Sequence, residues 1–463
     1  FRGESVELEI FIDYVTGGAE VTVKLEGLAV YDAYYIAGML PYESRLPFGA
    51  GTRKDLATEF VLRDIVYTQT GPTAARRRPK HFNIFIHVTI GDHAASREKE
   101  LNLPAVNWSF GRVILTIELH DAGQDWDQWD RNGSLYVVRP GGTKYDIAPF
   151  ITSFRTPGRW TADVTHFRPW LSGTVTFEIA TTSPLGDSRG FMLSASLDYY
   201  HGTQRLEPFR IVPLWNGTAA YGSDDNPFGD FYVPQTVHID EQTEAAKIYI
   251  TTTGHSPVGE FTPSRRALVI TPVTEPPGSA EVRFEDTLWK DDNYLNPVRP
   301  QRGTWKYARA GWAPGDVVRP WQIDLTPYVH PGSHVDLSFE PQPYEFSARP
   351  EDQRPPAEEL SKAVHLVRSY IVLYRSQQDQ VAAPTLQVLE VLPDSNASRA
   401  GILPNDYVAS YEGIHPETIE ELRAAIREAE ATGKQRAKTT IFRGSQQLDI
   451  DIGTGQMGVM LAE

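Results

Sequence analysis

The sequence predicts a mainly β protein: an N-terminal β-sandwich-like domain, two further β-sandwiches in tandem and a small α+β domain at the C-terminal end. Runs of alternating apolar and polar residues recur up to residue 376, separated by turns rich in Gly and Pro. Residues 416–433 show the one long amphipathic helix pattern. A length of 463 residues corresponds to about three domains or more.

Residues 1–103 read as a β-domain of unknown role. Apolar residues alternate with acidic ones from Val6 to Ile12, and the pattern returns over residues 21–25 and 82–88. His81, His87 and His93 recur at every sixth position, and we interpret them as exposed structural residues rather than metal ligands.

The next two predicted domains, residues 104–205 and 206–376, carry related patterns. Asp163-Val164-Thr165 precedes a Gly-containing turn and the strand at 174–179. Asp324-Leu325-Thr326 precedes a Pro-Gly turn and the strand at 335–339 in the same way. Two related units in tandem explain this repetition most economically.

Composition changes after the polar connector at 376–380, and residues 383–463 form the predicted α+β domain. Its helix is expected to begin at Pro416, because Pro is favoured in a first helical turn. Ile419, Leu422, Ile426 and Ala429 share one face, and the helix is expected to end near Gly433.

Composition also excludes several classes of function. A net charge of −16 argues against nucleic acid or an anionic membrane surface as the main partner. The absence of Cys excludes disulfides, thiol nucleophiles and zinc-thiolate sites. No apolar run approaches the ~18 residues of a membrane span. We expect no cofactor and no metal, since a copper site would need close His pairs and a Met ligand. No Gly-x-Ser-x-Gly elbow is present, which argues against a Ser-His-Asp hydrolase.

The segment Asp125–Gly133 is the strongest candidate for a functional site. Three acids, two tryptophans and one arginine lie within seven positions, between strand-like runs at 113–119 and 134–138. Connections at the ends of sheets are where binding and catalytic groups gather. Carboxylates beside indoles and a guanidinium suit a polar, planar substrate such as a sugar or an amide.

Residues 104–376 resemble the peptide-N-glycosidase F family. The matching runs include 127–131, 150–152 and 163–167 in the first unit, and 303–315 in the second, whose Trp-x-x-x-Arg-Ala-Gly-Trp-x-Pro-Gly pattern is the most specific. The resemblance implies two eight-stranded jelly rolls. It also implies hydrolysis of the amide that joins N-acetylglucosamine to asparagine in an N-linked glycopeptide or glycoprotein.

The resemblance assigns roles to individual residues. The essential acid falls on Asp130, its neighbouring arginine on Arg131, the glutamate of the second roll on Glu260 and a further arginine on Arg309. In this interpretation Asp130 activates a water molecule and the arginines hold substrate oxygens. Candidate substrate-binding residues are Trp129, Trp312 and, with packing as an alternative, Trp305.

Departures from the family pattern keep other hypotheses open. A second functional glutamate of the family aligns with Thr182, and a tryptophan beside it aligns with Pro184. The alternatives are a non-catalytic glycan- or protein-binding module on the same scaffold, and an amidase with a different substrate. Whether the chain is an enzyme is therefore left open here.

Residues 383–463 resemble bacterial PDZ domains, chiefly over 388–408. Such domains bind a peptide, often its C-terminus, at a sheet edge. The candidate peptide-binding residues are Gly455, Met457, Gly458 and Val459, and a closing core strand that binds nothing is the equal alternative. Together the two resemblances imply a secreted or periplasmic bacterial protein, whose signal segment is expected to lie outside this sequence.

Overall fold

The computed structural model describes residues 8–15, 18–25, 28–37 and 79–462, with gaps at 92–94, 124–125, 183–188, 203, 221–227, 229–230, 274–280, 294–295, 343, 345–349, 377–383 and 445. Strands dominate the described residues, so the prediction of a mainly β protein is confirmed. His93, Asp125 and Pro184 lie outside the described residues. The chain divides into two compact units: Phe1–Lys80 with Phe110–Arg112 and Tyr199–Gly202, and the remainder.

The described part of the first unit contains a three-stranded antiparallel sheet. Its strands are β1 (Leu8–Val15), β2 (Gly18–Leu25) and β3 (Leu28–Ala37), in that order. Leu8 pairs with Leu25 and Val15 pairs with Gly18, so β1 and β2 are antiparallel neighbours over their whole length. The predicted strands around Ile10 and Val23 are therefore present.

The first jelly roll has two sheets. One has the order β10 (Gly158–Asp163), β6 (Phe110–His120), β12 (Gly190–His201), β4 (Lys80–Gly91). The other has the order β9 (Phe150–Ile151), β7 (Asn132–Val138), β11 (Gly173–Thr181), β5 (Ser96–Leu103), and β8 (Lys144–Asp146) also pairs with β7. Apolar side chains such as Ile84, Leu115 and Phe177 are buried in this roll.

The predicted boundary at residue 103 differs from the sheets observed. Both β4 and β5, which the sequence analysis placed in the N-terminal domain, pair with strands of the first roll. Alternation of apolar and polar residues identifies a strand but not the sheet that it joins, because pairing partners lie far away in the chain. The remaining domain boundaries stay predictions.

The second roll repeats this architecture. One sheet has the order β13 (Leu206–Ala220), β21 (Val364–Ser376), β15 (Ala245–His255), β19 (Trp321–Asp324). The other has the order β14 (Gln235–His238), β20 (His334–Pro341), β16 (Ser264–Val273), β17 (Val282–Leu288). Helix α1 (Ser256–Phe261) connects β15 to β16, and α2 (Ala357–Ser361) precedes β21.

The repeated Asp-x-Thr segments adopt the same local structure. Asp163 ends β10, and its Oδ1 accepts a hydrogen bond from the backbone N–H of Thr165 at 2.9 Å. Asp324 ends β19 and accepts from the N–H of Thr326 at 3.0 Å. Such Asp side chains satisfy the first free N–H groups of a turn, so a shared local solution explains the repeated sequence.

Several contacts between described residues join the rolls, and they include a strand pairing, an ion pair and a ring stack. A two-residue strand of the second roll, β18 (Asp316–Val317), pairs with β9 of the first. Arg368 Nε lies 3.2 Å from Oδ2 of the fully buried Asp146. His166 stacks on Tyr249 with ring centroids 4.3 Å apart. This seam carries a polar pair that would be costly to break, because either partner alone would be a buried, uncompensated charge.

The C-terminal domain is a five-stranded sheet with two helices. The sheet has the order β25 (Gln446–Gly453), β24 (Arg436–Arg443), β23 (Tyr407–Tyr411), β22 (Leu386–Val391), β26 (Val459–Ala462). Helix α3 (Asn396–Ala400) was not predicted, and α4 (Ile419–Ala431) begins three residues after the predicted start. The hydroxyl of Thr418 accepts from the N–H of Glu421 and caps α4 there.

This domain packs against the first roll through Trp108. The indole contacts Tyr407 and Phe442 edge-on, with ring centroids 5.0 Å and 5.3 Å apart. Phe442 lies on the same strand face as the exposed Lys438, yet it is completely buried. The first roll therefore covers a face that the isolated domain would leave in water.

Candidate active site

Asp130 and Arg131 lie on the connection from β6 to β7, at one end of the first roll. The buried side chain of Asp127 braces this connection: its Oδ1 accepts from the N–H of Trp129 at 3.0 Å, and its Oδ2 accepts from Nε of Arg131 at 2.9 Å. The hydroxyl of Thr152 accepts from the N–H of Arg131 at 2.8 Å. The sequence motif is thus a folded loop with a fixed guanidinium, and Asp127, which was not a predicted site residue, orients it.

Glu260 lies near the end of α1 in the second roll. A short helix forms here because Pro257 fits its first turn. Gly254 precedes the helix, and a Cβ atom at that position would lie 2.2 Å from the carbonyl oxygen of Gly259. Glu260 O accepts from the N–H of Ala310 at 2.9 Å. Close backbone packing therefore positions the glutamate beside the segment that carries Arg309.

Arg309 connects the two acids across the seam. Its Nε donates to Oε1 of Glu260 at 2.7 Å, and its Nη2 lies 3.6 Å from Oδ2 of Asp130. Nη1 donates to the carbonyl oxygens of Thr304 and Tyr307, both at 2.9 Å, and Nη2 donates to the hydroxyl of Thr304 at 2.9 Å. All five N–H groups of the guanidinium thus face an acceptor.

Burial shifts the proton affinity of both carboxyls. The side chains of Asp130 and Glu260 are 15% and 20% exposed, while that of Arg309 is 1% exposed. Desolvation raises the pKa of Asp130 above its ordinary value, against the opposing effect of the Arg309 charge. Desolvation likewise raises the pKa of Glu260, and the hydrogen bond from Arg309 opposes this shift. Two carboxyls of increased proton affinity therefore share one guanidinium, an arrangement that suits proton transfer.

The predicted aromatic residues differ in exposure. Trp129 is 52% exposed and offers a surface to a ligand. Trp312 is buried beneath Arg309, with its ring centroid 4.9 Å from Cζ, and its Nε1 donates to the carbonyl oxygen of Gly254 at 2.8 Å. Trp305 is also buried. Substrate contact by Trp129 stays a prediction, whereas burial favours a packing role for Trp305 and Trp312.

Besides Asp127, three residues at the site were missed in the sequence analysis. Phe261 and Tyr307 are exposed aromatics that follow Glu260 and precede Arg309 closely in the chain. Thr304 contacts Arg309 through both its hydroxyl and its carbonyl oxygen. Phe261 and Tyr307 could have been noticed from their nearness in sequence, whereas the role of Thr304 depends on the turn at 302–307.

Thr182, which the resemblance aligned with a glutamate of the family, lies next to the candidate site. Its N–H donates to the carbonyl oxygen of Asn132 at 2.9 Å, and Asn132 follows Arg131 directly. The backbone of Thr182 therefore lies beside the start of β7, directly after Arg131.

The candidate peptide-binding residues surround the start of β26, which is an edge strand in the sheet of the C-terminal domain. Val459 pairs with Val391 of β22, while Gly455 and Gly458 have positive φ angles of 100° and 73°. Met457 is buried in the core of the domain, so its side chain is not available to a ligand. The edge of β26 and the glycine-containing loop remain the candidate surface.

Among the described residues, no cluster of three or more His, Asp or Glu side chains could hold a metal ion. No helix in the same part of the chain is long and apolar enough to cross a membrane.

Comparison with known proteins places this site on a known fold. The family model described as Peptide-N-glycosidase F, C terminal matches residues 227–372. The structure of PNGase F, a glycosylasparaginase from Flavobacterium meningosepticum, is 21% identical over 66% of this chain and 98% of its own, with a TM-score of 0.53. A structure of peptide-N(4)-(N-acetyl-beta-D-glucosaminyl)asparagine amidase is 21% identical over 65% and 98%, with the same TM-score. No curated protein matches the sequence. The structural likeness shows a PNGase F-like fold.

Proposed function

We propose that this protein is an amidase that hydrolyses the bond between N-acetylglucosamine and the asparagine side chain of a glycopeptide or glycoprotein. The observation that carries the proposal is the meeting of Asp130 and Glu260 on Arg309, with separations of 3.6 Å and 2.7 Å, on a PNGase F-like fold. A carboxylate from one roll and a guanidinium from the other form one partly open cluster.

The reaction needs a water nucleophile, a base and stabilisation of an oxyanion. Asp130 in its carboxylate form takes a proton from water as the oxygen attacks the amide carbonyl, and its raised pKa makes it a stronger base than an ordinary aspartate. Arg131, oriented by Asp127, donates to the carbonyl oxygen as negative charge develops there. The carbon–nitrogen bond then breaks, the proton passes to the amine, and the products are a glycosylamine and aspartate.

Glu260 and the exposed aromatics fit substrate placement. Oε1 of Glu260 accepts a hydrogen bond from Arg309, and the second carboxylate oxygen accepts a hydrogen bond from a sugar hydroxyl. Trp129, Phe261 and Tyr307 offer apolar faces for stacking on sugar rings.

The test uses a denatured N-linked glycopeptide and mass spectrometry. Wild-type protein is expected to release the glycan and convert asparagine to aspartate, an increase of about one dalton. Asp130→Asn is expected to abolish release. Asp121→Asn, an exposed aspartate on the same connection, is the matched control and should retain it. Absence of release by wild-type protein would contradict the proposal.

A non-catalytic binding module is the second candidate, and Thr182 favours it because a family carboxylate is absent there. Glycan binding without any release, retained in Asp130→Asn, would support this alternative.

We also propose that the C-terminal domain is a PDZ domain that binds a peptide C-terminus along the edge of β26. A secreted or periplasmic protein would use such a domain to engage a partner. Fluorescence polarisation with a labelled peptide library tests this. Binding of free-carboxylate peptides but not of their C-terminal amides is the expected result, and equal binding of both would contradict it.

A further inference from the structure

Four hydrogen bonds to protein groups hold the guanidinium of Arg309 in place. Nε donates a hydrogen bond to Glu260, and Nη1 donates to the backbone carbonyl oxygens of Thr304 and Tyr307. The remaining nitrogen, Nη2, has one close partner, the hydroxyl of Thr304 at 2.9 Å, and one distant partner, Asp130 at 3.6 Å. A distance of 3.6 Å is too long for a full hydrogen bond.

We propose that Thr304 is a positioning residue that holds the Arg309 guanidinium away from full contact with Asp130 and so preserves the carboxylate as a base. This inference rests on the proposed amidase function. Thr304 acts at two points, because its carbonyl oxygen fixes Nη1 and its hydroxyl fixes Nη2. Because Thr304 accepts hydrogen bonds from both Nη1 and Nη2, the guanidinium is held against rotation toward Asp130.

The turn that carries Thr304 is itself anchored to the first roll. Gly303 has a φ of 70°, and a Cβ atom there would lie 3.0 Å from the ring of Phe154. Gln301 Oε1 accepts from the N–H of Phe154 at 3.1 Å. The turn therefore sits at the seam, and Thr304 couples the position of Arg309 to the roll that carries Asp130.

The physical consequence concerns basicity. A guanidinium in direct contact with a carboxylate stabilises the charged form and makes it a weaker base. Burial raises the pKa of Asp130 while the Arg309 charge lowers it. With the Thr304 hydroxyl removed, the attraction between the two charges draws Nη2 toward Asp130, and the pKa of Asp130 is expected to fall.

Thr304→Val tests this, because valine has nearly the same shape and lacks the hydroxyl. We expect kcat to fall about 10-fold with KM changed less than about twofold. In a plot of kcat against pH, the acid limb should move to lower pH, because the pKa of Asp130 falls. Thr304→Ser restores the hydroxyl and should restore both kcat and the profile. Thr236→Val, which removes an exposed hydroxyl from a strand of the same roll, is the matched control and should behave as wild type.

An unchanged profile, a shift to higher pH, or a failure of Thr304→Ser to restore kcat would overturn the inference. A second measurement does not depend on amidase activity. Titration of carboxyl-¹³C-labelled protein by NMR, with Asp130→Asn identifying the signal, should show a lower Asp130 pKa in Thr304→Val than in wild type. If the protein releases no glycan, the amidase proposal fails, yet this titration still decides whether Thr304 controls Asp130.

Discussion

At the scale of single residues, the contacts of residue Arg309 explain why an arginine rather than a lysine occupies this position at the seam between the rolls. Its planar fork reaches one carboxylate, two carbonyls and one hydroxyl, with a second carboxylate within 3.6 Å. Its face also lies 4.9 Å from the centroid of Trp312. A lysine carries three donors on a flexible stem and cannot satisfy this set.

Arg309→Lys is therefore expected to lower stability by about 3 kcal/mol and to reduce glycan release at least ~100-fold, because acceptors placed for a guanidinium would lose their donors. Thermal unfolding and the release assay measure the two effects. Arg168→Lys is the control: Arg168 is a buried arginine of the first roll that donates to the carbonyl oxygens of Pro104 and Leu171. It should lose stability while each folded molecule keeps its activity, and equal loss of activity would contradict a special role for Arg309.

At the scale of elements, the short helix α1 is placed by backbone contact rather than by its own stability. A helix of six residues is too short to be stable alone in water. It is held because Gly254 allows β15 to pass close to the carbonyl of Gly259, and because Val258 packs on Ala363 and Leu360. The position of Glu260 thus depends on a glycine six residues before it.

Gly254→Ala is expected to displace α1, since the added Cβ would lie 2.2 Å from a backbone oxygen and 2.8 Å from Ala310 Cβ. We predict a loss of about 2 kcal/mol in stability and a fall of at least ~10-fold in kcat. Gly259→Ala is the matched control within the helix, because its Cβ would meet nothing closer than 3.5 Å. Calorimetry and the release assay should separate the two variants, and equal behaviour would mean that Gly254 does not place the helix.

At the scale of the second compact unit, the C-terminal domain is part of a continuous structure with the first roll. The loop that carries Trp108 is held by Arg168, which donates to the carbonyl oxygens of Pro104 and Ala105. A cleft of about 440 Å³ lies beside this contact, between β5 and the segment 403–407. The contact with Tyr407 and Phe442 therefore rests on a braced element of the roll.

A double-mutant cycle measures this docking. Trp108→Ala and Phe442→Ala should each destabilise the protein by about 3 kcal/mol and should show a coupling of about 1 kcal/mol, as expected for an edge-to-face aromatic pair. Ile441→Ala provides the comparison, since Ile441 faces the core of the C-terminal domain and not Trp108. Its coupling to Trp108→Ala should be near zero, and a coupling near zero for Phe442 as well would show that the domains are not docked in solution.

The sequence by itself determined the fold class and the tandem rolls, because alternation and turn residues are local properties of the chain. It also indicated Asp130, Glu260 and Arg309 through a resemblance, without any distance between them. Tertiary structure alone decided that β4 and β5 belong to the first roll, that Trp312 lies beneath Arg309, and that Thr304 completes the set of acceptors. These outcomes depend on which distant segments pair and pack, and contacts between residues far apart in the chain leave no periodic signal in one sequence.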